Sequence, residues 1–212
     1  KKISNYLKSK HVIAVNSCTN GILVALKALN LKKGDEVVKM STRKANFITL
    51  DDLVEQLGVD VVRYFFIMRG ANSHLDFDFD LAKDESENNP VYYLQYAHAR
   101  ISNLIIRYDN EIKEKTDLDM SLLNEKDEVS LIKKLSAFPT KMNELHQSLE
   151  PRKLATYLEE VAAAYHKFYG NHKVINLDNI PLSYARKNLC NATQIILKTG
   201  LSILGITAPE KM

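Results

Sequence analysis

The chain has 212 residues, enough for one or two domains with a proper core, and its 45% apolar and 26% charged content is ordinary for a globular protein. Seven Gly, five Pro and no Trp argue against a turn-rich all-β architecture. A net charge of +3 neither requires nor excludes a nucleic-acid partner, because a local basic face matters more than the total.

In chain order, residues 1–38 read as helix, strand, helix, strand. HVIAVNS (11–17) is a short β-branched strand pattern, and CTNGILVALKALN (18–30) carries a helical stripe at Ile22, Leu23, Leu26 and Leu29. Gly34 follows as a helix end and turn, and EVV (36–38) reads as a buried strand. From Leu50 the pattern becomes helical. TLDDLVEQLG has Thr49 as N-cap, acidic first-turn residues that suit the helix dipole, and Gly58 as stop. VDVVRYFFIMRG (59–70) is apolar on nearly every side and predicts a buried helix. The acidic stretch 72–89 predicts a loop or short extended piece, with Asp76, Asp78 and Asp80 alternating on one side of it.

A long helix is predicted from Pro90 at its first turn. Further helices follow over 124–149 with an interruption at Pro139, over 151–169 opened by Pro151, and over 181–204 opened by Pro181 and closed by Gly205. Leu154, Leu158, Val161 and Tyr165 mark one buried face; Leu182, Ala185, Leu189, Ala192 and Ile196 mark another. Residues 84–212 therefore predict an all-α bundle.

Cys18 and Cys190 form no motif, and the six histidines (His11, His74, His98, His146, His166 and His172) show no ligand spacing. Neither a metal site nor a disulfide framework is expected, and a reducing, cytoplasmic location is. No apolar run approaches the roughly 18 residues of a membrane span, and the start lacks a signal-peptide core. The chain opens without Met in what reads as mid-helix, so it is expected to be a piece of a longer protein.

Composition and periodicity reach no further than a short α/β segment followed by a helical bundle. The runs KMSTRKANFITLDDL (39–53), GVDVVRYFFIMR (58–69), LDFDFDLA (75–82), NPVYYLQYAHARI (89–101) and GLSILGITAPEKM (200–212) go further. They stand in the order and spacing of one family, and residues 39–212 closely resemble the C-terminal part of bacterial arginyl-tRNA synthetases. The resemblance implies a mainly α fold: an all-α anticodon-binding helical bundle preceded by a short α/β segment. It also implies Mg-ATP as co-substrate, arginine and tRNA(Arg) as partners, and a monomer.

KMSTR (39–43) resembles the KMSKS loop of class I synthetases. When an amino-acid carboxylate attacks the α-phosphate of ATP, negative charge builds on the phosphate oxygens, and a cationic loop can stabilise it. Lys39 and Arg43 supply charge and Ser41 a hydroxyl. Thr42 stands where the family usually has a second lysine, a loss that some members offset with a lysine elsewhere in the active site.

DVVR (60–63) corresponds to the D-A-L-R box of the anticodon-binding domain. Asp60 and Arg63 fall three apart on a helix and are expected to pair, in a packing role rather than a catalytic one. Tyr92 and Tyr96 share a helical face with either Asn88 or Arg100, and Tyr93 and Gln95 face elsewhere. Taken alone, such a stripe reads as core packing. In the resembling family the tyrosine of Q-Y-A, here Tyr96, contacts an anticodon base, as do a tyrosine matched by Tyr169 of KFYG and the C-terminal methionine, here Met212. Stacking splayed bases on aromatic rings is how single-stranded loops are read. Gln95, Asn89 and Arg100 are candidate neighbours for base-edge and phosphate contacts, with packing the equal alternative.

KKISNYLKSKHVIAVNSCTNGILVALKALNLKKGDEVV (1–38) resembles something else, the N-terminal region of DegT/DnrJ/EryC1/StrS pyridoxal-phosphate sugar aminotransferases. There a turn matched by Ser17, Cys18, Thr19, Asn20 and Gly21 holds the cofactor phosphate at a helix N-terminus. The Schiff-base lysine of such enzymes lies much further along, so transamination is not expected. Three segments result: 1–38, an aminotransferase-like α/β fragment; 39–83, a KMSKS-type loop with connecting helices of the catalytic domain; and 84–212, the DALR-type bundle. The expected function is arginine–tRNA ligation, with this chain supplying the ATP-site loop and anticodon recognition. The alternatives are an aminotransferase fragment and a non-catalytic tRNA-binding module.

Overall fold

The computed structural model describes residues 30–33, 36–38, 49–68, 76–114 and 116–212. The fold is mainly helical. Its elements are β1 (Asn30–Lys33), β2 (Glu36–Val38), α1 (Leu50–Leu57), α2 (Val59–Ile67), β3 (Asp76–Asp78), α3 (Phe79–Lys83), α4 (Pro90–Glu111), α5 (Lys126–Ser136), α6 (Phe138–Ser148), α7 (Pro151–Asn171) and α8 (Ile180–Ile203), with a 3-10 turn at Met120–Leu122. No helix among the described residues is long and apolar enough to cross a membrane.

Helix boundaries follow local chemistry. Thr49 caps α1: its hydroxyl accepts from the Asp52 N–H at 3.0 Å, and the Asp52 carboxylate accepts from the Thr49 N–H at 2.8 Å, a reciprocal capping box. Those two bonds hold the Asp52 carboxyl below its ordinary range. Gly58, at φ +79, ends α1 and begins α2 in a backbone conformation that other residues rarely adopt. Pro90, Pro139, Pro151 and Pro181 all sit in first turns, where a missing N–H costs nothing. The break expected at Pro139 falls at Ala137, which ends α5 and begins α6.

Four expectations need correcting. Asn30–Lys33 is a strand rather than the end of a helix, antiparallel to β2 with Leu31 opposite Val38, and parallel to β3 with Leu31 opposite Phe77. The preceding helix, 18–29, lies outside the described residues. The Asp76–Asp80 alternation stops at Asp78, whose carboxylate accepts from the Asp80 and Leu81 N–H groups and so starts α3. Helix α2 is buried only at Val62 and Tyr64, while Val59 and Phe66 are exposed. On α8 the buried face runs through Ala185, Leu189, Thr193 and Leu197, leaving Ala192 exposed. Thr193 can be buried because its hydroxyl donates to the Leu189 carbonyl at 2.9 Å.

Helix α7 is the hub. Leu154, Ala155, Leu158, Val161, Ala162, Tyr165 and Phe168 are buried, and α2, α4, α5, α6 and α8 all pack on it. Gly200 of α8 lies so close to Leu158 that an added Cβ would stand 2.5 Å from its Cδ2, so glycine sets this helix spacing. A smaller core gathers Leu53, Val62, Phe77 and Ala82 from α1, α2, β3 and α3.

A charged pair is sealed inside the bundle. Glu128 is fully buried; it accepts from Arg186 Nε at 2.7 Å and from the Glu125 N–H at 2.9 Å, and Arg186 Nη1 donates to the Lys173 carbonyl at 2.9 Å. Removing one partner strands a buried charge. Arg186→Leu is therefore expected to lower the unfolding free energy by about 3–5 kcal/mol in a denaturant titration, with much of the loss recovered in the Glu128→Leu/Arg186→Leu double variant.

Candidate nucleic-acid interface

Tyr92, Tyr96 and Arg100 recur every four residues on α4 and so share one face. The Tyr92 and Tyr96 rings stack with centroids 6.3 Å apart and planes 13° from parallel. His166 of α7 continues the stack, 6.1 Å from Tyr96 and inclined by 14°. The Arg100 guanidinium lies 5.2 Å from the Tyr96 ring centre and 4.6 Å from that of Tyr169 on α7. These five side chains are all half-buried. A guanidinium held between two rings keeps its donors in a fixed fork, and the rings keep part of each π face open. This surface can receive unpaired bases by stacking and a phosphate by charge.

Burial, and next the Arg100 charge, depress the His166 imidazole pKa, a shift partly offset by Glu87. Its ring also touches Tyr93, at 4.8 Å, and Tyr165, at 5.4 Å. Its Nε2 finds no hydrogen-bond partner among the described residues.

The segment after α8 completes the surface. Helix α8 closes with the Ile206 N–H on the Leu201 carbonyl at 2.9 Å, and Gly205 turns the chain at φ +69. Arg63 Nη1 donates to the Gly205 carbonyl, and the Thr207 hydroxyl and N–H both donate to Asp60 Oδ2. Gln95 Nε2 donates to the same Asp60 oxygen and to the Thr207 carbonyl, each at 3.1 Å. His98 Nδ1 lies 2.8 Å from the Pro209 carbonyl and must carry the hydrogen, since a carbonyl only accepts. The segment ends at a groove of about 610 Å³ lined by Gln56, Leu57, Val61, Tyr92, Gln95 and Met212.

The structure thus brings Tyr96, Arg100 and Tyr169 together, and Met212, half-exposed, lines the same groove as Tyr92 at the end of that stack. Gln95 is held by Asp60 and Thr207. Asn89 is buried: it caps α4 by accepting from the Val91 N–H and donates to the Ala82 carbonyl, so its amide serves the start of the helix. Asp60 and Arg63 turn to the C-terminal segment instead of to each other. Tyr93 does not face away but meets His166 inside the bundle. Sequence reasoning passed over His166, although it lies three residues before Tyr169 on the same helix. Lys39, Ser41 and Arg43 lie outside the described residues, as does Ser17–Gly21.

Residues 94–212 match the DALR anticodon binding domain family, and residues 1–64 match the DegT/DnrJ/EryC1/StrS aminotransferase family. The chain is 46% identical over 185 residues to an arginine–tRNA ligase of Salinibacter ruber, which covers 87% of this chain and 33% of the relative. It is 44% identical over 194 residues to an arginine–tRNA ligase of Carboxydothermus hydrogenoformans, covering 90% of this chain and 35% of the relative. A Campylobacter jejuni crystal structure assigned as an arginyl-tRNA synthetase superposes with a TM-score of 0.71 at 32% identity, over 87% of this chain and 39% of that one. The chain therefore spans about a third of the length of the curated relatives it matches.

The depressed His166 pKa has a stability consequence of defined sign. Below its ordinary value of 6.5 the unfolded chain takes up a proton that the folded site resists, so stability holds above that pH and falls below it, until the folded group also titrates. His166→Gln is expected to remove this part of the decline in melting temperature between about pH 7 and pH 5. Equal slopes in the parent chain and the variant would contradict the assignment.

Proposed function

The chain belongs to the DALR anticodon binding domain family, and from that premise we propose that it is the C-terminal portion of an arginine–tRNA ligase, a class I aminoacyl-tRNA synthetase. The observation that carries the proposal is the convergence of Tyr96, Arg100 and Tyr169 on one half-buried surface, with Met212 lining the groove at its end. The bundle, residues 84–212, is the anticodon-binding domain, and 39–83 is the KMSKS-type loop with its connecting helices. Tyr96 and Tyr169 stack anticodon bases, Met212 packs against a base edge, and Arg100 pairs with a phosphate. Gln95 and Asn89 serve the fold rather than the RNA, because their amides are taken by protein groups.

The full reaction belongs to the longer protein. There the arginine carboxylate attacks the α-phosphate of ATP, supplied with Mg²⁺ as co-substrate, and displaces pyrophosphate; a hydroxyl of tRNA(Arg) then takes the arginyl group from the adenylate and AMP leaves. Lys39, Ser41 and Arg43 stabilise the charge developing on the phosphate oxygens, by the chemistry of their side chains. The protein acts as a cytoplasmic monomer. The likeness of residues 1–64 to an aminotransferase family supports a second reading, in which this segment derives from such an enzyme. Incubation with pyridoxal phosphate without a Schiff-base absorbance excludes aminotransferase chemistry in this chain and leaves that likeness as one of sequence alone.

Binding measurements on this chain test the first. It is expected to bind tRNA(Arg) with an affinity that weakens as salt rises, because phosphate contacts release counterions. Tyr96→Ala and Tyr169→Ala should each cost about 1–3 kcal/mol, the value of one base stacked on one ring. Equal affinity for tRNA(Arg) and for an anticodon-substituted version would overturn the proposal.

A further inference from the structure

The residues after α8 form neither helix nor strand, yet they are held at successive points along their length. Irregular segments normally move unless something ties them down. Here Arg63 takes the Gly205 carbonyl, Ile206 is buried, Asp60 and Gln95 grip Thr207, and His98 takes the Pro209 carbonyl. The glycine is required twice. Its φ is +69, and a Cβ there would stand 2.9 Å from Arg63 Nη1.

The grip converges on a single atom. Asp60 Oδ2 accepts from the Thr207 hydroxyl, from the Thr207 N–H at 3.2 Å and from Gln95 Nε2 at 3.1 Å. A carboxylate oxygen suits three donors better than a neutral oxygen does. All the holding groups come from α2 and α4, and α4 also carries Tyr92, Tyr96 and Arg100. The tether therefore fixes the chain end relative to the stack itself. Three residues beyond the last tether, Met212 lines the same groove as Tyr92 while remaining 51% exposed.

We infer that Asp60, together with Arg63, Gln95 and His98, is a positioning set that presents Met212 to the RNA by holding the C-terminal segment against α2 and α4. The inference rests on the proposal that Met212 meets an anticodon base. Its physical content is pre-organisation: a contact residue already ordered in the free protein does not have to be ordered on binding.

The test uses the full 212-residue chain with ¹³C-methyl methionine and two readouts. The first is the Met212 methyl signal of the free protein, identified by its loss in Met212→Ala. The second is the ratio of affinities for tRNA(Arg) and an anticodon-substituted tRNA(Arg). Asp60→Ala is expected to move the methyl signal to the sharp position of a free chain end and to reduce the ratio about tenfold. Asp60→Asn, whose amide oxygen can still accept two of the three bonds, should fall between the parent and Asp60→Ala. In a Met212→Ala background, Asp60→Ala should change the ratio no further.

An unmoved methyl signal in folded Asp60→Ala overturns the inference. So does a ratio that Met212→Ala lowers and Asp60→Ala leaves intact. If the parent chain itself fails to discriminate, the anticodon proposal fails, and the methyl signal alone then decides whether Asp60 holds the segment. If Asp60→Ala does not fold, Thr207→Val removes the hydroxyl that donates to Asp60 and accepts from Gln95, leaves the Thr207 N–H and carbonyl in place, and carries the same two readouts, with the same outcomes deciding.

Discussion

The architecture depends on burying one broad face of a single helix. Helix α7 carries Leu154, Leu158, Val161 and Tyr165 on one line and Ala155, Ala162 and Phe168 on others, all buried. A buried face this wide takes several partners to cover, and α2, α4, α5, α6 and α8 supply the cover, while Thr156, Glu160, Ala163 and Lys167 line the exposed side. At its C-terminal end the wrapping gives way, and His166 and Tyr169 emerge half-buried against α4. The candidate interface is the rim of the core. Its rings are oriented by the packing that buries Tyr165 and Phe168 one turn away.

Charge is used differently at two places in the bundle. Glu128 and Arg186 are buried together and every bond they make is internal, so their work is to fix α5 against α8. Among the described residues Arg100 has no carboxylate partner, and it lies against the faces of Tyr96 and Tyr169. A cation–π contact orients a guanidinium without neutralising it, whereas an ion pair would do both. The same positive charge helps to depress the His166 imidazole pKa, so the stack carries one permanent cation rather than two competing ones.

Much of the helical frame was legible because its signals are local. Thr49, Gly58, Pro90, Pro151 and Pro181 act within one turn of where they stand, and they mark ends of α1, α2, α4, α7 and α8. Asn89 carries the same kind of local signal, an Asn before a first-turn Pro, although its motif pointed to the RNA instead. Asp60 and Gln95 were not readable in this way. Their partner Thr207 lies 147 and 112 residues away, and no spacing rule reaches that far. The spacing that suggested an Asp60–Arg63 pair was real, but two longer reaches won, because they satisfy backbone groups that would otherwise go unpaired at the end of α8. The convergence of Tyr96, Arg100 and Tyr169 lies between these cases: each residue was singled out from its motif, while their meeting required the α4–α7 packing.

The sheet bears on the two likenesses at the start of the chain. A boundary after Val38 separates β1 and β2 from everything that follows, yet β1 is hydrogen-bonded to β3, Asn30 opposite Asp76 and Lys32 opposite Asp78. The 90% of the chain shared with the Carboxydothermus relative is also too large a share to be confined to residues 39–212, so the two likenesses overlap instead of abutting. Strand pairing explains how both can hold over one stretch. The bonds joining β1 to β2 and β3 are made by backbone groups, which every residue but proline supplies, so the sheet demands an extended segment of the right length more than a given set of side chains. Residues 30–38 can therefore resemble an aminotransferase in sequence while forming, with β3, the sheet from which α3 and then the α4 surface continue.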